Sequence, residues 1–96
     1  MIGKQKILKT LEQHKALLFS QYPIKKLGLF GSVVRDDFGE QSDIDILVDF
    51  NSPIGIEFID LAYSLEKILN HKIDLVSRNG IKPKYFKEIE KDLIYV

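Results

Sequence analysis

Residues 29–50 read LFGSVVRDDFGEQSDIDILVDF, and the pairing of the two apolar segments in this stretch decides the fold. Residues 25–30, KKLGLF, read as a short strand running into Gly31-Ser32, and residues 44–50, IDILVDF, with their apolar, β-branched character, read as a second strand. The link between them holds Gly31-Ser32 at its start, room for one helical turn from Ser32, and a loop around Gly39. Side chains alternate across a strand, so Asp43 and Asp45 share one face while Ile44, Ile46 and Val48 share the other, which can bury against a helix. Two carboxylates held this close raise each other's pKa and weaken the fold unless a cation relieves them. Asp49 has the same parity but lies about 13 Å beyond Asp45 at strand rise, at a solvated strand end.

The rest of the chain falls into place around this pair of strands. From Lys4 to Ser20 apolar residues recur among Lys, Gln and Glu as on an amphipathic helix, which Tyr22-Pro23 terminates. Asn51 to Gly55, NSPIG, is a turn, and Phe58, Leu61, Ala62, Leu65, Ile68 and Leu69 then mark the clearest helix. Residues 72–77, KIDLVS, form a third strand, and residues 78–83, RNGIKP, a loop. Pro83 suits the first turn of a last helix over 83–91, and Leu93 to Val96 close the chain as a short edge strand. This predicts one domain over residues 1–96, of α/β (α+β) class: a small mixed β-sheet of three to four strands with helices packed on it.

The charge pattern narrows the chemistry. The 96 residues carry no net charge, yet the ends are basic and residues 27–66 hold nine acids against Arg35 alone. A non-specific nucleic-acid binder shows a dominant basic field, so stable nucleic-acid binding is not expected, and an acidic middle suits a cation site better. There is no cysteine, which excludes disulfides and thiolate metal sites, and His14 and His71 stand too far apart in sequence to suggest zinc. No apolar run approaches the length of a membrane span and nothing resembles a signal peptide, so the expected location is the cytosol.

A third acid, Asp74, stands inside the apolar strand 72–77. If that strand neighbours 44–50, Asp74 completes a triad with Asp43 and Asp45. Three strand-borne carboxylates suit Mg²⁺, which prefers oxygen ligands and keeps several waters. A pair of such ions serves phosphoryl or nucleotidyl transfer, one activating the attacking hydroxyl and the other holding the triphosphate and its leaving pyrophosphate. Gly31-Ser32 then has a role, because a strand running into a helix start presents free N–H groups to phosphate, and Gly31 permits close approach. Ser32 is open to a second role as a helix cap, and Arg35 is open to an ion pair with Asp37 or Asp43 as well as to a phosphate.

Gly31-Ser32, Arg35 and Ser42-Asp43-Ile44-Asp45 resemble the signature of the polymerase-β-type nucleotidyltransferases, and within them the chain is most similar to the minimal nucleotidyltransferase (MNT) family. The similarity runs across the whole chain, through GIEFIDLAYSLEKIL, HKIDLV and the closing KPKYFKEIEKDLIYV. It implies a polymerase-β-like core in which Asp43 and Asp45 bind two Mg²⁺ ions with help from Asp74. Gly31, Ser32, Arg35 and Ser42 are then the residues expected to hold the nucleotide triphosphate, with ATP as substrate. It further implies a partner, a HEPN-domain ribonuclease toxin, with AMP passed to one of its tyrosines. One departure from the family pattern shows: many members have glycine directly after the motif arginine, where this chain has Asp36, which bears on loop shape. Two other functions stand beside this one: an antitoxin that neutralises its partner by binding alone, and a transferase acting on a small molecule, for which 96 residues leave little wall.

Overall fold

The computed structural model describes residues 3–37, 39 and 41–96. The chain runs α1 (Lys4–Gln21), β1 (Ile24–Phe30), α2 (Ser32–Arg35), β2 (Ile44–Phe50), α3 (Glu57–Leu69), β3 (Ile73–Ser77), α4 (Pro83–Glu90) and β4 (Ile94–Tyr95). These elements match the sequence expectation to within a residue or two, and residues 78–80 add a single 3₁₀ turn inside the predicted loop.

Local chemistry explains the boundaries. Tyr22 is extended (φ −131°, ψ 149°) as a residue before proline must be, and α1 stops there. Helix α3 starts with Glu57 and Asp60 in its first turn and has Lys67 in its last, each placed to oppose the helix dipole. It ends at Asn70, which takes the left-handed conformation (φ 50°) that stops a helix.

The sheet order is β3-β2-β1-β4. Strands β1 and β2 pair antiparallel, with Leu27 opposite Val48 and Leu29 opposite Ile46. Strands β2 and β3 pair parallel, with Ile44 opposite Ile73 and Ile46 opposite Leu75, a direction that requires a crossover and obtains one in α3. Strand β4 closes the other edge antiparallel to β1. One face of this mixed sheet carries Leu27, Leu29, Ile44, Ile46 and Val48, and against them pack Ile7, Leu11 and Leu18 of α1 and Leu61, Leu65 and Leu69 of α3. Truncating one such fully buried leucine to alanine costs about 2–5 kcal/mol, a large share of a small domain's stability.

The same register sends Gly28, Phe30, Asp45, Leu47, Asp74 and Val76 to the opposite face. Leu47 is buried there because the C-terminal segment crosses this side. Gly28 lies close beneath that segment, since a Cβ on it would stand 2.7 Å from Leu93 Cδ1 and 3.2 Å from Ile94 O. The last residue is tied down by Val96 N–H donating to Leu27 O at 2.9 Å. Two helices therefore cover one face, and the acids lie on the other, more thinly covered one.

Candidate active site

The β2–β3 pairing puts Asp45 directly beside Asp74, and the β1–β2 pairing puts it beside Phe30. Asp43 precedes β2 by one residue, and two bonds pin the backbone there. Ile44 N–H donates to Lys72 O at 2.9 Å. His71 Nε2 stands 2.8 Å from Ser42 O, and because a carbonyl can only accept, this nitrogen carries the proton. Asp43 and Asp45 are half-buried, while Asp74, on the outer strand, is exposed.

Asp45 feels the charges of both other acids. The Asp45 carboxyl is pushed up from 3.8 to about 6, first by burial, then by the charges of Asp74 and Asp43, with Arg35 opposing. Gly31 supplies the floor beneath it. Its φ of 81° is a conformation that favours glycine, and a Cβ there would stand 3.0 Å from Asp45 Cγ and run into Oδ2. In the sequence Gly31 reads as room for a phosphate; the close neighbour found in the fold is the Asp45 carboxylate.

The remaining expected site residues fall on the turn after β1, on α2 and on the loop before β2. Gly31 is the N-cap of α2 and Ser32 is its first residue; no side chain caps the helix, so the capping role considered for Ser32 is not realised. Ser42 Oγ accepts from Gly39 N–H at 3.2 Å, which closes the loop before Asp43. Arg35 Nε lies 3.7 Å from Asp37 Oδ2, one of the partners open to it from sequence. Its stronger bond was not legible there: Arg35 Nη1 donates to Asp92 Oδ2 at 2.8 Å, across 57 positions of chain. Nothing in the segment EKDL marks Asp92 as a site residue, and only the return of the C-terminal segment over the sheet brings it near. His71 was missed for a related reason, since its bond to Ser42 depends on the parallel pairing.

Between Arg35 and the C-terminal segment opens a cleft of about 370 Å³, with Phe30, Gly31, Arg35 and Asp45 on one side and Ile89, Lys91 and Asp92 on the other. A larger groove of about 670 Å³ runs along α3, past Tyr22, Tyr63 and Lys67, and one of about 420 Å³ lies by Phe50 and Ser77. The candidate site is the smaller cleft, because it alone of these three is lined by one of the expected acids, Asp45, together with Gly31 and Arg35; Asp43, Asp74, Ser32 and Ser42 are not in its lining.

Asp43, Asp45 and Asp74 offer oxygen ligands only, which fits a hard cation, and such a cation would offset the burial and the like charges that raise Asp45. No three Asp, Glu or His side chains among the described residues converge closely enough to hold an ion by themselves. That suits Mg²⁺, which is ordinarily held by one or two carboxylates together with substrate phosphates rather than by an all-protein cage.

A glycine-serine turn that feeds strand-borne carboxylates on a small mixed sheet is an architecture for nucleotidyl transfer. The chain belongs to the nucleotidyltransferase domain family, whose model matches residues 6–96. It is 36% identical to the protein adenylyltransferase MntA of Thermococcus cleftensis over 97 residues, covering 100% of this chain and 98% of that one. It is 45% identical over 94 residues to MJ1379 of Methanocaldococcus jannaschii, a provisionally named protein adenylyltransferase, with 94% of each covered. Among solved structures it superposes on a provisionally identified minimal nucleotidyltransferase with TM-score 0.73 and 28% identity, over 91% of this chain and 93% of that one. It also shares its fold with a chain in the Shewanella oneidensis complex of a tri-AMPylated HEPN toxin with an MNT antitoxin (TM-score 0.69, 22% identity, 93% of this chain and 70% of that one). No described helix is long and apolar enough to cross a membrane.

Proposed function

We propose that this chain is a Mg²⁺-dependent protein adenylyltransferase of the cytosol that transfers AMP from ATP to a tyrosine hydroxyl of a HEPN-type ribonuclease toxin, and so acts as its antitoxin. The observation that carries this reading is the register of Asp45 beside Asp74 over Gly31, with Asp43 one residue ahead of the strand. It is supported by relatives named as protein adenylyltransferases, by the fold shared with an MNT antitoxin in complex with a HEPN toxin, and by another neighbour, a toxin–antitoxin structure containing AMP-PNP.

In this reading Asp43 and Asp45 would hold two Mg²⁺ ions with assistance from Asp74. When bound, the ions neutralise the triphosphate and lower the pKa of the acceptor hydroxyl. The chain's own groups do the rest. The free amides at Gly31-Ser32, the hydroxyls of Ser32 and Ser42, and Arg35 hold and orient the triphosphate. Arg35 can do so while bonded to Asp92, since a guanidinium has five N–H donors. Asp74, exposed on an outer strand, is within reach of an acceptor presented by another protein and takes its proton. The hydroxyl oxygen bonds to the α-phosphorus, the bond from that phosphorus to the bridging oxygen breaks, and pyrophosphate leaves.

The test uses ATP labelled at the α-phosphate, Mg²⁺ and extract of the source cells, with wild type compared with the Asp43→Asn, Asp45→Asn double variant. Label on a discrete protein band with wild type only is the expected result. Label on small molecules or RNA retains transfer and discards the protein acceptor. No label from either version, with a protein still co-purifying with both, favours neutralisation by binding alone.

A further inference from the structure

The cleft holds two cations among its lining residues, Arg35 and Lys91. Arg35 is committed, to Asp92 at 2.8 Å and to Asp37 at 3.7 Å. Among the described residues Lys91 is held by Glu88 alone, at 3.2 Å, in a pair whose side chains are 69% and 71% exposed. An exposed pair of this kind contributes about 0–1 kcal/mol, so its exchange for another anion is easy. The backbone of Lys91 is nevertheless fixed, because the next residue, Asp92, is the one that Arg35 grips from α2. The result is a flexible ammonium on a fixed base at the rim of an otherwise acidic cleft.

A triphosphate entering this cleft brings further negative charge beside Asp45, Glu88 and Asp92. Arg35, which keeps Asp92 and Asp37 as partners, can offer a triphosphate only its remaining N–H donors, and Lys91 is the second lining cation that can turn inward. We propose that Lys91 is a triphosphate-binding residue of this site, leaving Glu88 to contact the β- or γ-phosphate. The C-terminal segment is then part of the nucleotide site as well as its wall. In the sequence, Lys82, Lys84, Lys87 and Lys91 are open to contact with nucleotide or partner as well as to a solvated helix face, and the cleft singles out the last of them. The inference rests on the nucleotidyl-transfer reading of the same cleft.

The experiment is calorimetric binding of α,β-methylene ATP with Mg²⁺, and of AMP, to the full chain and its variants. Lys91→Met weakens triphosphate binding by roughly tenfold, as loss of a charge-assisted contact does, and leaves AMP binding and the metal-free melting temperature unchanged. Lys91→Arg retains most of the affinity. Lys84→Met is the control, its ammonium lying 6.0 Å over the Tyr85 ring and outside the cleft. Triphosphate binding by Lys91→Met equal to wild type overturns the proposal, as does an equal loss with AMP. If the Asp43→Asn, Asp45→Asn variant binds Mg²⁺ and the triphosphate as tightly as wild type, the transfer-site reading itself falls, and the role of Lys91 falls with it.

Discussion

Asp45 is where function and stability oppose each other. Its carboxyl sits at about 6 in the folded chain against 3.8 ordinarily, so between those values the folded state keeps a proton that the unfolded state has released. The associated stability is full below pH 4 and lost as pH rises through 6. Asp45→Asn should therefore stabilise the metal-free protein at pH 8, by about 1 kcal/mol after allowing for partial exposure, and do so less at pH 4, while abolishing transfer. Urea denaturation at the two pH values measures this, and a variant less stable than wild type at pH 8 would contradict the repulsion. Gly31→Ala acts on the same carboxylate from beneath, combining a positive φ with a collision at Asp45, and should cost about 2 kcal/mol or more in the same assay. At this scale the sequence shows Gly31, Asp43, Asp45 and Asp74 because their types clash with their surroundings. It does not show Asp92 or His71, whose types are ordinary where they stand and whose partners lie 57 and 29 positions away.

Elements were easier to read than contacts, and the reason is local. Periodicity marks α1 and α3, Pro23 and Pro83 mark a stop and a start, and the apolar runs mark β1 to β3. The faint elements are those whose stability is not local: β4 exists because β1 offers an edge, and α2 is a single turn held by its neighbours. Helix α2 ends at Asp36, in the left-handed region at φ 68°. This is the position where many family members carry glycine, and its backbone shows why: glycine takes that conformation without strain, and aspartate at some cost. Asp36→Gly should raise stability by about 0.5–1 kcal/mol without altering the cleft, as read by the melting temperature and by unchanged labelling. A fall in stability would mean that the Asp36 side chain offsets its backbone strain.

Over the whole molecule the two faces of the sheet are unequal. The face under α1 and α3 is closed by fully buried leucines and isoleucines, whereas α4 buries no residue completely. Amides of α4 should accordingly exchange with solvent well before those of β1 and β2, and hydrogen exchange resolved by residue measures the order. Equal protection across the chain would show that the C-terminal segment unfolds only with the core. The parallel pairing of β2 with β3 has one more consequence, for a chain still being synthesised. Asp45 and Asp74 meet only after α3 has crossed over, and Asp92 reaches Arg35 only once α4 has been made. A ribosome that stalls between β2 and α4 thus holds a fragment with its first acids made and no finished cleft around them.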